Sequence, residues 1–124
     1  MRESARPIRN KITPQDMVAE AKQHITEVNV TSTKQLLAEG NIMLIDTREE
    51  SEFAGGHIDN ALLLPRGVLE FKIGGVSELT DKSKAVLIYC RTGGRSAMAA
   101  KTMQQLGYQN VLSMAGGFEA WQKA

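Results

Sequence analysis

Short apolar runs, each ending at a polar residue or a proline, punctuate this chain, and stretches of helical composition separate them. Asn41-Ile42-Met43-Leu44-Ile45-Asp46, Ala61-Leu62-Leu63-Leu64 before Pro65, and Lys84 to Tyr89 have strand length without apolar–polar alternation, the pattern of strands covered on both faces. Polar Thr47 to Phe53 reads as the start of a helix and Gly55-Gly56 as a turn. Gly67 to Ile73 is predicted helical and broken by Gly74-Gly75, Ser96 to Leu106 helical, Val111 to Ser113 a short strand, and Phe118 to Lys123 a closing helix. Strands that alternate with helices predict an α/β domain with a mainly parallel central sheet flanked by helices and joined by right-handed crossovers. At 124 residues with 42% hydrophobic content, the chain can build one such core and not two.

Upstream, Thr13-Pro14-Gln15-Asp16 has a capping hydroxyl, a first-position proline and a first-turn acid, the marks of a helix start. Met17, Ala21, Ile25 and Val28 follow at helical spacing, a stripe that packs on the domain or, in the sharper reading, meets a partner. His24 beside it reads as a helix-surface residue. Val28 to Val30 is expected to be an edge strand, with Thr31 or Ser32 capping a helix through Glu39 that Gly40 ends. Residues 1–27 thus read as an extension with an amphipathic helix, and 28–124 as the domain. Met1 to Lys11 is basic and polar with no apolar run after it to make a signal-peptide core or a membrane span, so a cytoplasmic location is expected. Fifteen basic against fourteen acidic residues give a formal charge of +1, which excludes a global field for nucleic acid or anionic membranes.

The single cysteine can form neither an intramolecular disulfide nor a cysteine-only metal cluster. It stands where the third apolar run meets a basic glycine loop, Cys90-Arg91-Thr92-Gly93-Gly94-Arg95-Ser96. A buried structural thiol is the ordinary reading of a lone cysteine. The neighbours argue for a nucleophile instead. Two glycines turn successive amides toward one centre, the following helix adds the positive end of its dipole, and Arg91 and Arg95 bring cations, all of which favour thiolate over thiol. Planar guanidinium groups also suit an oxyanion, to which they fork two hydrogen bonds. Thr92 and Ser96 offer hydroxyls, although turn formation and helix capping account for both.

Asp46, at the end of another strand, belongs to the same sheet edge. A buried carboxylate there is a general base or, more simply, the partner of a nearby arginine and loop amides. Arg66 is a further cation for the pocket mouth or a surface residue. Phe53, Tyr108, Phe118 and Trp121 read as core or rim, and the six methionines as gap-filling packing.

In order along the chain, Asp46-Thr47-Arg48-Glu49, Glu52-Phe53, Gly56-His57-Ile58, Ala61, Pro65, the cysteine loop, Gly107-Tyr108, Asn110-Val111, Gly116-Gly117 and Trp121 resemble the single-domain rhodaneses, thiosulfate sulfurtransferase-like proteins, from about Val28 to Gln122. The resemblance implies a three-layer rhodanese-like fold, Cys90 as catalytic nucleophile and residues 91–96 (Arg91, Thr92, Gly93, Gly94, Arg95, Ser96) as the substrate cradle. It also implies structural roles for Asp46, Arg48 and His57, the histidine ordering a turn instead of activating sulfur. Four residues separate Cys90 from Arg95, one fewer than in the related phosphatases and arsenate reductases. The shorter loop resembles the sulfur-transferring class.

The expected chemistry is therefore ping-pong transfer of sulfane sulfur through a Cys90 persulfide, from thiosulfate or a similar small-molecule donor to a thiol or cyanide acceptor, without metal or organic cofactor. A persulfide relay serving a partner protein, with the first helix as its docking surface, is the reading from another class. Phosphatase or arsenate reductase activity is a distant third.

Overall fold

A computed structural model describes residues 12–124, so the reading of Met1 to Lys11 falls outside it. Five strands make one sheet: β1 (Thr26–Val28), β2 (Ile42–Asp46), β3 (Leu62–Leu63), β4 (Ala85–Tyr89) and β5 (Asn110–Met114). Their order is β1-β5-β4-β2-β3, and every pairing is parallel. The helices are α1 (Pro14–Lys22), α2 (Val30–Glu39), α3 (Glu50–Ala54), α4 (Leu69–Lys72), α5 (Gly94–Gln105) and α6 (Gly117–Lys123). The expected α/β architecture of a parallel sheet flanked by helices is the observed one. Among the described residues no helix is long and apolar enough to cross a membrane.

Central strand β4 shows why its sequence carries no polar alternation. Val86 and Ile88 enter one layer with Ile45 and with Ala99, Ala100 and Met103 of α5. Leu87 and Tyr89 enter the other with Leu44, Ile58 and Met114, closed by Leu36 and Leu37 of α2 and by Phe118 and Trp121 of α6. All four β4 side chains are fully buried. Burial of each aliphatic side chain contributes about 1.5–3 kcal/mol, so the sheet's middle anchors whatever its C-terminal ends carry.

Several boundaries differ from expectation. Thr13 does cap α1 in a reciprocal box, its Oγ1 accepting the Asp16 N–H at 3.1 Å while its own N–H donates to Asp16 Oδ2 at 2.9 Å. That helix stops at Lys22, however, so Ile25 packs on the core from a connection and Val28 ends β1. His24 lies just past the helix, its Nε2 2.9 Å from Glu20 Oε2. The edge strand is Thr26–Val28 instead of 28–30, inside the stretch read largely as an extension. Asn29, not Thr31 or Ser32, caps α2: its backbone is extended and its Oδ1 accepts the Ser32 N–H at 2.8 Å, so one residue ends the strand and starts the helix. Gly40 closes α2 at φ +83° as expected.

The segment 67–73 is not one helix. A 3-10 turn at Arg66–Val68, the single α turn of α4 and another 3-10 turn at Ile73–Gly75 replace it, pinned by buried Leu69 and Ile73. Glycines at 67, 74 and 75 weaken regular helix there. Helix α3 begins at Glu50, later than read, and α5 begins at Gly94, two residues before Ser96. The second difference matters for chemistry, because it places Gly94, Arg95 and Ser96 in the first turn of α5.

Candidate active site

Strands β2 and β4 are neighbours in register, with Asp46 opposite Tyr89, so their C-terminal ends open side by side. At the β2 end, Asp46 is fully buried and saturated. Its Oδ1 accepts the Arg48 backbone N–H at 2.9 Å and Arg48 Nε at 3.1 Å, and Oδ2 accepts Nε at 3.1 Å and Nη2 at 2.8 Å. The same Nη2 donates to Gly56 O at 2.7 Å, and the guanidinium carbon lies 4.4 Å from the centre of the Phe118 ring. Thr47 ties this corner to β4 by donating its N–H to Tyr89 O at 2.9 Å.

His57 is exposed, stacked on the Phe53 ring at 3.7 Å with Nδ1 3.0 Å from Phe53 O. The next residue, Ile58, donates its N–H to the Tyr89 hydroxyl at 3.0 Å. Burial pushes that phenol well above its ordinary value.

The β4 end is built differently. Cys90 is 1% exposed, and its Sγ accepts the Gly93 N–H at 3.1 Å. The sulfur also lies 3.5 Å from Ser96 Oγ, positioned to donate its thiol proton. Gly93 sits at φ +112°, a conformation that side chains disfavour and that turns its amide back onto the sulfur. Its carbonyl accepts the first helical N–H of α5, from Ala97 at 3.1 Å, so the N–H groups of Gly94, Arg95 and Ser96 are the free first-turn donors of that helix.

Helix α6 holds the loop from the other side. Phe118 N–H donates to Cys90 O at 2.8 Å and Glu119 N–H to Arg91 O at 3.0 Å. Gly117 makes that approach possible at φ +61°: a Cβ there would lie 2.5 Å from Arg91 O. On a third side, Val18 of α1 packs against Gly94, where an added Cβ would stand 3.3 Å from Val18 Cγ2.

The loop arginines, read as cations that favour a thiolate and suit an oxyanion, are each paired with a carboxylate. Arg95 forks onto Glu52 of α3, Nη1 to Oε1 at 2.8 Å and Nη2 to Oε2 at 2.9 Å. This bidentate hydrogen bonding, beating the opposing effect of partial burial, holds the Glu52 carboxyl down at about 2. Arg91 donates Nε to Glu119 Oε2 at 2.9 Å, in a pair exposed on both sides. Each cation is thus matched by a carboxylate, and the loop's uncancelled positive character comes from its amides and the α5 dipole. Thr92 is exposed. Beside the loop lies a pocket of about 330 Å³ whose walls include Arg48, Glu52, Arg91, Phe118 and Glu119.

Arg66 is not at that mouth. It lines a separate groove of about 550 Å³ between α1 and α5 with Met17, Met98 and Thr102, its Nη2 3.3 Å from Thr102 Oγ1. Of the aromatic residues, Phe118 and Trp121 pack on the core, Tyr108 donates its hydroxyl to Leu79 O at 3.1 Å, and Phe53 supports His57.

Glu52, Ser113, Gly117 and Glu119 complete the site without having been singled out for it. The motifs Glu52-Phe53 and Gly116-Gly117 marked two of them, but the tie of Glu52 to Arg95 spans 43 residues. Glu119 needed α6 to be placed before it meant anything. Ser113 lay in a recognised strand, with no local signal that its hydroxyl turns inward.

A family model for the rhodanese-like domain matches residues 29–124. A sulfurtransferase from Allochromatium vinosum is 36% identical over 98 residues, covering 78% of this chain and 88% of that protein. The thiosulfate sulfurtransferase GlpE of Coxiella burnetii is 36% identical over 87 residues, covering 70% and 78%. Among solved structures, a protein of unknown function and possible tyrosine phosphatase from Rhodopseudomonas palustris superposes with a TM-score of 0.82 at 28% identity, covering 99% of this chain and 95% of that one. That last match extends over α1, which the family model leaves out. With the model spanning nearly all of the sheet and the whole cysteine loop, this chain belongs to the rhodanese-like domain family.

Proposed function

We propose that the protein is a sulfurtransferase that moves sulfane sulfur from thiosulfate, or a donor of the same kind, to a thiol or cyanide acceptor through a persulfide on Cys90. The observation that carries the reading is the Gly93 N–H on the Cys90 sulfur at the start of α5, where amides and a helix dipole stabilise an anion without a neighbouring base. The sulfurtransferase names of the two curated relatives support the same chemistry.

In the first half-reaction the Cys90 thiolate attacks the outer sulfur of thiosulfate. The sulfur–sulfur bond of the donor breaks, its electron pair leaves with sulfite, and Cys90 carries a persulfide anion. In the second, the acceptor attacks the terminal sulfur and the electron pair returns to Cys90 as thiolate. Thiolate is the nucleophile at the outset, so neither step calls for a metal or an organic cofactor. The amides of Gly93, Gly94, Arg95 and Ser96 hold both anionic stages, in the manner of an oxyanion hole. Arg91 takes the sulfonate end of the donor by leaving Glu119; an exposed pair of this kind is worth only about 0.2–1 kcal/mol, so the exchange is inexpensive. Arg95 stays on Glu52 and braces the first turn of α5. Asp46, Arg48 and His57 shape the neighbouring corner and take no part in sulfur transfer.

The test is intact-mass analysis after incubation with thiosulfate and then with cyanide or a thiol. Cys90 should gain the mass of one sulfur and lose it again, and Cys90→Ser should do neither. Thiosulfate-to-cyanide transfer surviving in Cys90→Ser would overturn the reading, and so would release of phosphate from an aryl phosphate without sulfur loading. A relay to a partner protein is favoured by one observation, the contact of α1 with the loop at Gly94. It predicts discharge only to that partner, lost on substitution of exposed α1 residues that leaves β1 in place.

A further inference from the structure

The Cys90 sulfur is the first member of a buried chain of three polar groups. Ser96 Oγ lies 3.5 Å from it, and Ser113 Oγ of β5 lies 2.9 Å beyond Ser96 Oγ. Both serines are fully buried, so no solvent competes for their hydroxyl protons. Ser96 has one such proton to give and three acceptors in reach, Gly93 O at 3.2 Å, the sulfur and Ser113 Oγ. Giving it to Ser113 would leave the Ser113 proton without an acceptor among the described residues, so Gly93 O and the sulfur are the two that compete.

While Cys90 is a thiol, the bonds close in one pattern. The thiol donates to Ser96 Oγ, and Ser96 donates to Gly93 O. The 2.9 Å contact then has only one polarity left, Ser113 as donor and Ser96 as acceptor. Once the sulfur is an anion the thiol proton is gone, and an anionic acceptor draws a hydroxyl proton more strongly than a carbonyl does. Ser96 turns its proton to sulfur. Gly93 O is not stranded by this, because it keeps the Ala97 N–H at 3.1 Å. Ser96 Oγ, having lost the thiol's proton, keeps the one from Ser113.

We propose that Ser113 is a positioning residue acting on Cys90 through Ser96: its donated proton polarises the Ser96 hydroxyl and leaves that group's single proton free to swing to the sulfur whenever the sulfur is anionic. The chain serves the thiolate and the persulfide alike. It deepens the sulfur-transfer reading, which supplies its purpose, although the geometry stands on its own.

A double-mutant cycle on the full chain tests it, with the rate of Cys90 alkylation by iodoacetamide as the readout, since that reports the anionic sulfur and not the transfer of sulfane sulfur. Ser113→Ala should slow alkylation at pH 7 about three- to tenfold, the range expected for one ordinary hydrogen bond, since Ser113 reaches the sulfur only through the neutral Ser96 hydroxyl. The deficit should narrow as pH rises and the sulfur ionises fully in both proteins. Ser113→Thr, which keeps a donor, should restore the rate. In a Ser96→Ala background, Ser113→Ala should cause no further loss, because the route through Ser96 is already cut. An equal loss in both backgrounds, a deficit that persists at high pH, or a folded Ser113→Thr as slow as Ser113→Ala would overturn the proposal. Thiosulfate turnover of the unmodified chain is measured alongside. Absent turnover with an intact cycle would sink the function and leave Ser113's role, and the reverse pattern would sink the role alone.

Discussion

The ends of β2 and β4 lie side by side, and both carry groups whose charged forms are costly to bury, yet they are finished in opposite ways. At the β2 end the Asp46 carboxylate takes four hydrogen-bonding contacts from Arg48, and the guanidinium is pinned by Gly56 O and by aromatic rings. At the β4 end the Cys90 sulfur has one amide and one hydroxyl, with the donors of a helix start beside it. A saturated charge is fixed in place, since removing either partner strands the other in a medium that cannot solvate it. In the proposed reaction, a sulfur held by amides passes between thiol, thiolate and persulfide because each donor offers a fixed dipole instead of a counter-charge that must be neutralised. Under the proposed function, strand ends in the same sheet thus serve one as scaffold and the other as reaction centre according to how their polar groups are paired.

The largest effects should separate the two ends. Cys90→Ser should lower thiosulfate-to-cyanide turnover by about a thousandfold or more, as loss of a nucleophile does, while changing the unfolding free energy by less than about 1 kcal/mol. Arg48→Met should behave in the opposite sense, lowering stability in denaturant titration by about 3–5 kcal/mol because Asp46 is left buried and unpaired. A folded Arg48→Met of unchanged stability but without turnover would put Arg48 in the chemistry and break the comparison.

Smaller effects sharpen it at the loop's own ion pairs. The Glu52 carboxyl, held at about 2 against an ordinary 4.5, adds stability that is complete above about 4.5 and disappears as the pH falls through about 2. Its pair with Arg95 is partly exposed, so after screening the contribution is under about 1 kcal/mol. Glu52→Gln should therefore be slightly less stable than the unmodified chain at pH 7 and equal to it near pH 2, as read by thermal unfolding at each pH. Glu119→Gln should have the smallest effect on stability, below about 0.5 kcal/mol, because its pair with Arg91 is the more exposed. If Arg91 binds the donor's sulfonate, that variant should show a lower KM for thiosulfate at unchanged kcat. An unchanged KM would mean that Arg91 does not touch the donor.

Much of the molecule was legible because its signals are local. Apolar runs without alternation announced β2 and β4, since a strand covered by helices on both faces has no polar side. The Thr13 to Asp16 cap, the glycine at position 40 and the cysteine loop are equally short-range. What failed was where one residue serves two elements or where tertiary contact overrides propensity. Asn29 ends β1 and caps α2 together, which shifted both predicted boundaries. Ile25 and Val28 keep helical spacing with Met17 and Ala21, but β1 is drawn away to pair with β5, as Thr26 with Leu112. The loop arginines were legible as residues and illegible as charges, since Glu52 and Glu119 come from separate helices.

Residue order was enough to establish the alternation of strands and helices, the strand-to-helix turn at Cys90 and the glycines that bend it, because these depend on chain stiffness, side-chain volume and near neighbours. Tertiary structure alone decided the electrostatics of the turn. It brought α3 and α6 to cancel the two arginines, brought Gly117 close enough for α6 amides to grip the loop carbonyls, and turned Ser113 inward behind Ser96. Coulomb and hydrogen-bond energies depend on separation in space, which folding sets independently of separation along the chain.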